Sequence, residues 1–289
     1  MRTASGAVPG PPSSAVALNR SSDTRDTVCG VPDIVTRRLP GSALHRLFAD
    51  DPFVRWDVAR PHETRIWVCG DSVAFQRHSH SRRFHGISVL GAAQLPRLLD
   101  AVLAELPPAI NGVSIERGFL QLLQERLGDQ LTGGGDWDWM WTVQAPPVLP
   151  AESVLVQLDD TRDAAAIAAL NEIGSPTAES EPGSGRTELW LGARDGGRLM
   201  AAGAIHRTDG GTPHLAGIVV HPSARGRGLG AALTAALTRH AIRTDGVCTL
   251  GMYADNDPAR AVYDRLGFTV ARSWASRGLR RLDTEGMIA

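Results

Sequence analysis

Hydrophobic and polar positions in the second half of the chain follow two periods, one typical of strands and one typical of helices. Strand patterns occur in SVLVQLDD, in the hairpin ELWLGARDGGRLMAAGAIHR, and in HLAGIVV, GVCTLGMY and FTVARSW. Apolar residues at helical spacing occur in TRDAAAIAALNEI, GLGAALTAALTRHAI and DPARAVYDRLG. Hairpin strands followed by a crossover helix predict an α/β (α+β) protein with a mixed central sheet, and they argue against a helix bundle or a sandwich.

The first half of the chain shows the same kinds of element less clearly. Strands are predicted for TRIWVCGDSVAFQRH, as a hairpin with a Gly-Asp turn, and for HGISVLG and INGVSIE. Helices are predicted for IVTRRLPGSALHRLFADD, AQLPRLLDAVLAEL and GFLQLLQERLG. In DWDWMWTV the alternation places Trp137, Trp139 and Trp141 on one face of a strand, which favours a core or domain-interface face over a ligand platform.

Segments rich in Pro, Gly and Ser divide the chain into parts. Residues 1–32 contain GAVPGPPSSA, which is typical of a disordered leader. Residues 144–152, QAPPVLPAE, are typical of a proline-rich linker. We therefore expect a smaller α/β N-terminal domain over 33–143 and a second domain over 153–289.

Composition narrows the classes of function. The net charge of −1 provides no basic field for nucleic acid. All 30 basic residues are arginine, so the chain carries no lysine amine. The three cysteines, Cys29, Cys69 and Cys248, lie far apart, which is typical of reduced thiols. No apolar run of 18 residues and no secretion signal are found, and we expect a cytoplasmic protein that does not bind membranes.

The segment RGRGLG, at 225–230, has the composition of a phosphate-binding loop. A P-loop is excluded because it requires a lysine. The segment GRGLGA does match the dinucleotide-binding pattern, but only 34 residues follow Asp255, too few for the further crossover units of that fold. Backbone N–H groups at a helix start, with glycines and two arginines beside them, favour a diphosphate at this position.

Two segments in order, VVHPSARGRGLG and NDPARAVYDRLGF, resemble the GCN5-related N-acetyltransferases (GNAT) over roughly 152–282. The resemblance implies a mixed sheet of six to seven strands flanked by about four helices. It also implies acetyl-CoA or another acyl-CoA as co-substrate, with no metal. The N-terminal domain would be a degenerate GNAT-like half that forms one wall of the acceptor cleft.

The resemblance also implies where the cofactor lies. Pantetheine would enter the gap between two splayed strands, AGIVV and CTLGMY, and pair with the backbone of the first. The implied cofactor-binding residues are Ile218, Val219, Val220, Arg225, Gly226, Arg227, Gly228, Leu229, Gly230, Asn256 and Arg260. Two of them have alternatives, because Asn256 could be the N-cap of the next helix and Arg260 could be a solvated charge.

Acyl transfer to an amine requires a base for the amine, a donor for the oxyanion and an acid for the departing sulfur. By resemblance, the backbone N–H near Val220 is the donor and Tyr263 the acid, although Tyr263 could simply be packed. Several branches of the family have a glutamate as base, and His214 stands at that position here. His206 is the rival base, and His221, before a proline, is interpreted as a turn residue.

A group of three histidines, His78, His80 and His85, lies in RHSHSRRFHG. No cysteine or carboxylate pattern accompanies it, so a polar loop is favoured over a metal site.

The predicted function is transfer of an acetyl group from acetyl-CoA to a primary amine of a small molecule, directly and in a ternary complex. Two alternatives stay open: acetylation of protein or peptide N-termini, and a non-catalytic acyl-CoA-binding module. The identity of the amine and the choice between monomer and homodimer are also left open by the sequence.

Overall fold

The computed structural model describes residues 35–58, 63–79 and 85–280. In these ranges the strands are β1 (Val35–Pro40), β2 (Glu63–Cys69), β3 (Ser72–His78), β4 (His85–Leu90), β5 (Gly112–Glu116), β6 (Leu131–Thr142), β7 (Leu155–Leu158), β8 (Leu189–Asp195), β9 (Arg198–Arg207), β10 (Pro213–Val220), β11 (Cys248–Tyr253) and β12 (Thr269–Leu279). The α-helices are α1 (Gly41–Leu47), α2 (Pro52–Asp57), α3 (Leu95–Ala104), α4 (Leu120–Leu127), α5 (Ala164–Gly174), α6 (Leu229–Asp245) and α7 (Asp257–Arg265).

All twelve of these strands belong to one sheet, in the order β1-β2-β3-β4-β5-β12-β6-β11-β10-β9-β8-β7. Two neighbouring pairs, β4–β5 and β10–β11, are parallel, and the pairs around them are antiparallel. A crossover helix joins each parallel pair, α3 in the first case and α6 in the second. The α/β (α+β) class with a mixed sheet is therefore confirmed.

The two halves of the sheet repeat one topology. Strands β1 to β5 follow one another in the sheet as β7 to β11 do, and in each half the fourth and fifth strands are the parallel pair. The sixth strands are exchanged: β6 pairs with β11 of the second half, and β12 pairs with β5 of the first. Each half thus requires a strand from the other to complete its sheet.

This exchange explains why the sheet has more than the six to seven strands expected. Strands β6 and β12 also pair with each other along most of their length, so hydrogen bonds join the two predicted domains. The division into 33–143 and 153–289 stays a prediction, and so does the family of the first half. The predicted leader, 1–32, and Cys29 lie outside the described residues.

Most local predictions hold at the level of single elements. The hairpins turn at Gly70-Asp71 and at Gly196-Gly197, and α7 is followed by Gly267 with a φ of +86°. One prediction is wrong: residues 35–40 form strand β1, and only 41–47 are helical. The strand is favoured there because it pairs in register with β2 over six residues, which the local pattern does not reveal.

The tryptophan row on β6 belongs to the core where the two halves meet. Trp139 is fully buried, and its ring meets that of Phe53 edge-on at 5.4 Å. Phe53 also packs against Trp274 of β12 at 5.0 Å, and Trp137 stacks on Trp274 at 6.2 Å. Because aromatic side chains bury large apolar areas, this cluster stabilises the exchanged strands, and the prediction of a core or interface face is confirmed.

The two cysteines within the described ranges, Cys69 and Cys248, are buried thiols. Burial raises the pKa of Cys248 to about 12, so this thiol stays protonated and inert at neutral pH. Among the described helices, none combines the length and the apolar character that a membrane span requires.

Candidate active site

Strands β10 and β11 separate soon after they begin. Their parallel register consists of two pairs, His214 with Thr249 and Leu215 with Leu250. Past these pairs β10 continues against β9, with an irregularity between Ala216 and Val219. In the first half, by contrast, β4 and β5 keep four pairs in register. The gap beside 216–220 corresponds to the splay that the resemblance implies between AGIVV and CTLGMY.

The bend in β10 depends on Gly217. This residue has a φ of +56°, in the left-handed region that favours glycine. A Cβ on Gly217 would lie 2.6 Å from the Cβ of Ser180, so a larger residue would collide with the loop that follows α5. Ser180 is buried, and its hydroxyl accepts a hydrogen bond from Nδ2 of Asn171 at 2.9 Å. The loop therefore closes over the bend.

The glycine-rich loop connects the end of β10 to the start of α6. Gly226 has a φ of +78°, and Gly228, the N-cap, has a φ of +76°. A Cβ at Gly226 would meet nothing within 4 Å, and one at Gly228 would meet only Ala151, at 3.7 Å. The loop thus leaves open space beside these two glycines at the start of α6, where the positive end of the helix dipole attracts anions.

The residues after the N-cap hold this helix start in place. The side chain of Leu229 is buried in the core, so only its backbone is available to a ligand. Gly230 lies within the first turn, where a Cβ would lie 3.6 Å from Cγ2 of Val220. The strand end and the helix start are therefore close neighbours, as binding of one extended ligand requires.

The two arginines of the loop are exposed, and each makes few contacts with other groups of the protein. Arg225 donates to the carbonyl oxygen of Gly174 at 3.1 Å. Arg227 donates to the carbonyl of Ser223 at 3.4 Å and lies 3.7 Å from the carboxylate of Asp195. Their part in binding phosphate stays a prediction.

His221 is the turn residue that the sequence indicates. It caps the short 3₁₀ turn Pro222–Ala224, and its Nδ1 accepts the backbone N–H of Ser223 at 3.2 Å. Arg198 lies 2.8 Å from its other ring nitrogen.

A cavity of about 450 Å³ opens where β10 and β11 diverge, and both halves of the chain line it. The second half contributes five residues that the sequence analysis or the loop geometry singles out: His214, Gly217, Ile218, Asn256 and Tyr263. The first half contributes Asp57, Arg77, Trp137 and others, and the loop after α5 contributes 175 and 177–179. The first half therefore lines this cavity, and its part as a wall of the acceptor cleft stays a prediction.

His214 enters this cavity with a defined tautomer. It is 4% exposed, and its Nδ1 lies 2.9 Å from Oγ1 of Thr249. The Thr249 hydroxyl donates its only proton to the carbonyl oxygen of Pro213 at 2.9 Å, so at Nδ1 it must accept. The proton of neutral His214 is therefore on Nδ1, and Nε2 is the nitrogen with basic character. Sequence reasoning missed Thr249, because its partner is 35 residues away in the chain.

The rival base, His206, lies next to His214 in the sheet but outside the cavity lining. The two histidines are register partners on β9 and β10. Nε2 of His206 lies 3.1 Å from the hydroxyl of Thr187, and the side chain is 3% exposed. This geometry favours His214 as the base.

Tyr263 lies on α7, where it is packed and also lines the cavity, and its role as the acid stays a prediction. It is packed, with 8% exposure and its ring 6.0 Å from that of Phe268, and it also lines the cavity. Burial raises the pKa of Tyr263 to about 12. The hydroxyl is therefore protonated at neutral pH and can act as a proton donor.

The other two candidates on this segment have structural partners. Asn256 is the N-cap of α7, accepting the backbone N–H of Ala259 at 3.2 Å, and it also lines the cavity. Arg260 donates to the carboxylate of Asp138, so its contact with a cofactor phosphate stays a prediction.

Asp138 links β6 to the helix that carries Tyr263, a role that sequence reasoning missed. It is 2% exposed and bonded to Arg260 and, at 2.7 Å, to Arg117. Burial alone would raise the pKa of Asp138, but hydrogen bonds from Ser273 and Arg260 and the charge of Arg117 outweigh it and lower the pKa. The one available signal was an acidic residue in the middle of a tryptophan-rich strand.

The histidine group lies apart from these residues. His78 and His85 stack at 4.1 Å, and Nδ1 of His78 lies 3.6 Å from Asp209. Burial and the nearby charge of His78 lower the pKa of His85. Across 35–58, 63–79 and 85–280, no three His, Cys, Asp or Glu side chains are grouped to hold a metal, and His80 lies outside these ranges.

The sheet of this protein is mixed, and two of its parallel strands diverge before a glycine-rich helix start. This is the acetyltransferase fold that the sequence resemblance implies. Residues 158–268 match the model of the Acetyltransferase (GNAT) family, and this part of the chain is a domain of that family. No curated protein matches the chain in sequence.

Solved structures share the fold over most of the chain. A Drosophila protein is 17% identical with a TM-score of 0.58, covering 86% of this chain and 99% of its own. A GCN5-related N-acetyltransferase from Sphaerobacter thermophilus is 17% identical with a TM-score of 0.53, covering 87% and 98%. Another, from Kribbella flavida, is 18% identical with a TM-score of 0.50, covering 83% and 95%. At these identities the likeness concerns the fold.

Proposed function

We propose that this protein transfers an acetyl group from acetyl-CoA to a primary amine of a small molecule, directly within a ternary complex. The observation that carries the proposal is the course of β10. The strand leads from His214, in a cavity that also contains Tyr263, past the gap beside 216–220 to the open glycine turns of α6.

The residues present fit a CoA molecule in this position. Gly226 has open space beside its Cα, and Gly228 is the N-cap of α6, where helix amides and the helix dipole suit a diphosphate. The backbone of Ile218, Val219 and Val220 borders the gap left by β11, which suits an amide-bearing arm such as pantetheine. When bound, acetyl-CoA would supply the activated acyl thioester.

The chain's own groups then have separate tasks. Nε2 of His214 would take a proton from the acceptor ammonium, since a lysine-type amine with a pKa of about 10.4 is almost fully protonated at neutral pH. The backbone N–H near Val220 would donate to the developing negative charge on the carbonyl oxygen. The Tyr263 hydroxyl would donate its proton to the departing sulfur.

The size of the cavity favours a small acceptor. Its volume of about 450 Å³ falls in the range of roughly 300–1,000 Å³ typical of small-molecule sites. The first half, β12 and the loop after α5 contribute to its lining.

The experiment is a thiol-release assay with acetyl-CoA and a panel of small amines and peptides. We expect turnover with small amines, and a loss of at least about a hundredfold in kcat for Tyr263→Phe, with the affinity for CoA unchanged by calorimetry. The variant keeps the ring against Phe268, so its melting temperature should stay near that of the wild type. CoA binding without turnover on any amine would instead indicate a binding module, and turnover on peptides alone would indicate an N-terminal acetyltransferase.

A further inference from the structure

A buried arginine lies in the cavity wall formed by the first half of the chain. Arg77, near the end of β3, is 8% exposed and lines the cavity. A guanidinium is permanently charged and carries five N–H donors, so it is rarely buried without partners for them.

The contacts of Arg77 leave much of this donor capacity unused. Its guanidinium carbon lies 5.2 Å from the ring centre of Phe53 and 5.9 Å from that of Trp137, so aromatic rings pack around it. Its nearest approach to the carboxylate of Asp57 is 3.6 Å, longer than a hydrogen bond. Its Nε is buried and has no partner among the described residues.

The other arginine of the cavity differs in this respect. Arg277 donates to Asp136 at 2.9 Å and to the carbonyl of Ser276 at 2.9 Å. It is therefore held by the protein, whereas the side chain of Arg77 makes no hydrogen bond to the described residues. An unsatisfied buried charge of this kind is costly unless a ligand pairs with it.

We propose that Arg77 binds the carboxylate of the acceptor, so that the acceptors are primary amines that also carry a carboxylate, the chemical class of amino acids. A carboxylate matches the planar fork of a guanidinium with two parallel charge-assisted hydrogen bonds. That the acceptor carries an amine rests on the proposed function, and that it carries a carboxylate rests on Arg77.

The ring of Trp137 lies near both proposed ends of this site. The guanidinium carbon of Arg77 is 5.9 Å from its centre, and a Cβ on Gly251 would be 3.5 Å from its Cε3. The same Cβ would be 3.9 Å from Nε2 of His214. An acceptor with its carboxylate at Arg77 and its amine near His214 would therefore lie along Trp137, whose face suits the apolar part of the molecule.

Asp57 gives the proposal a second, opposite test. Its carboxylate is 4% exposed and competes electrostatically with an incoming carboxylate for the charge of Arg77. Asp57→Asn removes this competing charge and keeps the shape of the side chain. If Arg77 binds the acceptor, this variant should bind carboxylate-bearing acceptors more tightly than the wild type does.

The experiment compares amino acids with their carboxamides and with the amines left after decarboxylation. Acetylation is measured for all three series. Binding of the N-acetylated amino acids is measured by calorimetry, which requires no turnover. We expect Arg77→Met to raise KM and Kd at least about tenfold for the carboxylate series only. We expect Asp57→Asn to lower both several-fold, again for that series only.

Arg239→Met is the matched control, because Arg239 is also a partly buried, ion-paired arginine but bonds Glu152 and lies outside the cavity lining. It should leave the selectivity unchanged. Where Arg77→Met does not fold, the double variant Arg77→Met with Asp57→Asn is used instead, because it removes both buried charges. It should show the same loss of carboxylate selectivity.

The outcomes separate this inference from the proposed function. Binding of the acetylated amino acids that depends on Arg77, without acetylation of any amine, would support the carboxylate site and contradict the enzyme. Acetylation of the carboxamides and simple amines as fast as of the amino acids would overturn the inference and leave the enzyme standing. Absence of any carboxylate binding would also overturn it, as would equal effects of Arg77→Met on all three series.

Discussion

The substitution Gly228→Asp tests whether the mouth of α6 binds a diphosphate. Gly228 is the N-cap of this helix, with φ and ψ of 76° and 4°. Gly246, the C-cap of the same helix, has nearly the same conformation, with φ and ψ of 74° and 1°. Gly246→Asp is therefore a control with the same backbone strain at the opposite end of the same element.

The two variants should differ in binding far more than in stability. A non-glycine residue in the left-handed region costs about 1–2 kcal/mol, and aspartate tolerates it better than most, so both variants should lose about 1 kcal/mol of unfolding free energy. At Gly228 the new carboxylate would also face the diphosphate. One negative charge about 5 Å from another at an effective dielectric of about 20 costs about 3 kcal/mol, or about a hundredfold in Kd.

The assay is calorimetric titration with CoA, repeated at two salt concentrations, alongside thermal unfolding. We expect Gly228→Asp to weaken CoA binding about a hundredfold, and less so at high salt, while Gly246→Asp binds like the wild type. Unchanged affinity in Gly228→Asp, or equal losses in the two variants, would refute the assignment of this helix start to the diphosphate.

Three further predictions concern the elements that shape the cavity. Gly217→Ala should lower the unfolding free energy by about 1–3 kcal/mol and weaken CoA binding, since its Cβ would lie 2.6 Å from that of Ser180. Thermal unfolding and calorimetry measure the two effects, and CoA binding as tight as in the wild type would contradict the prediction. Asp138→Asn should cost about 1–3 kcal/mol in urea unfolding at neutral pH, because it breaks the buried pair with Arg260. As the folded-state pKa of Asp138 is lowered, this difference should be full above its ordinary value of about 3.9 and shrink as the pH falls below it; a difference independent of pH would refute the linkage. With a pKa of about 12, Tyr263 should stay protonated through pH 10, so a fall in kcat between pH 8 and 10 that disappears in Tyr263→Phe would contradict the raised pKa of this hydroxyl.

Local signals in the sequence were sufficient for much of this protein. The glycines at 226 and 228 adopt left-handed conformations at a helix start because few other residues can, and a strand before and a helix after them were already visible in the pattern. The splay of β10 and β11 could be expected only through the resemblance. It depends on the bend at Gly217 and on the loop that packs against it.

The exchange of strands could not be read from the sequence. The apolar face of strand β6 is compatible with many neighbouring strands. Nothing in DWDWMWTV indicates that β6 pairs with β11 and β12 rather than with a strand of its own half. Register and partner are decided by packing between distant segments, here by Phe53 against Trp139 and Trp274.

The sequence by itself determined the α/β class, most of the elements and the glycine-rich helix start, because each depends on neighbours a few positions away. The tertiary structure alone decided which histidine enters the cavity and which nitrogen it presents, since the hydrogen bond from His214 to Thr249 joins two strands. It also brought Arg77 from the first half and Tyr263 from the second into the lining of one cavity. Contacts of this kind depend on how the chain closes on itself, and pairing across the sheet leaves no period in the sequence.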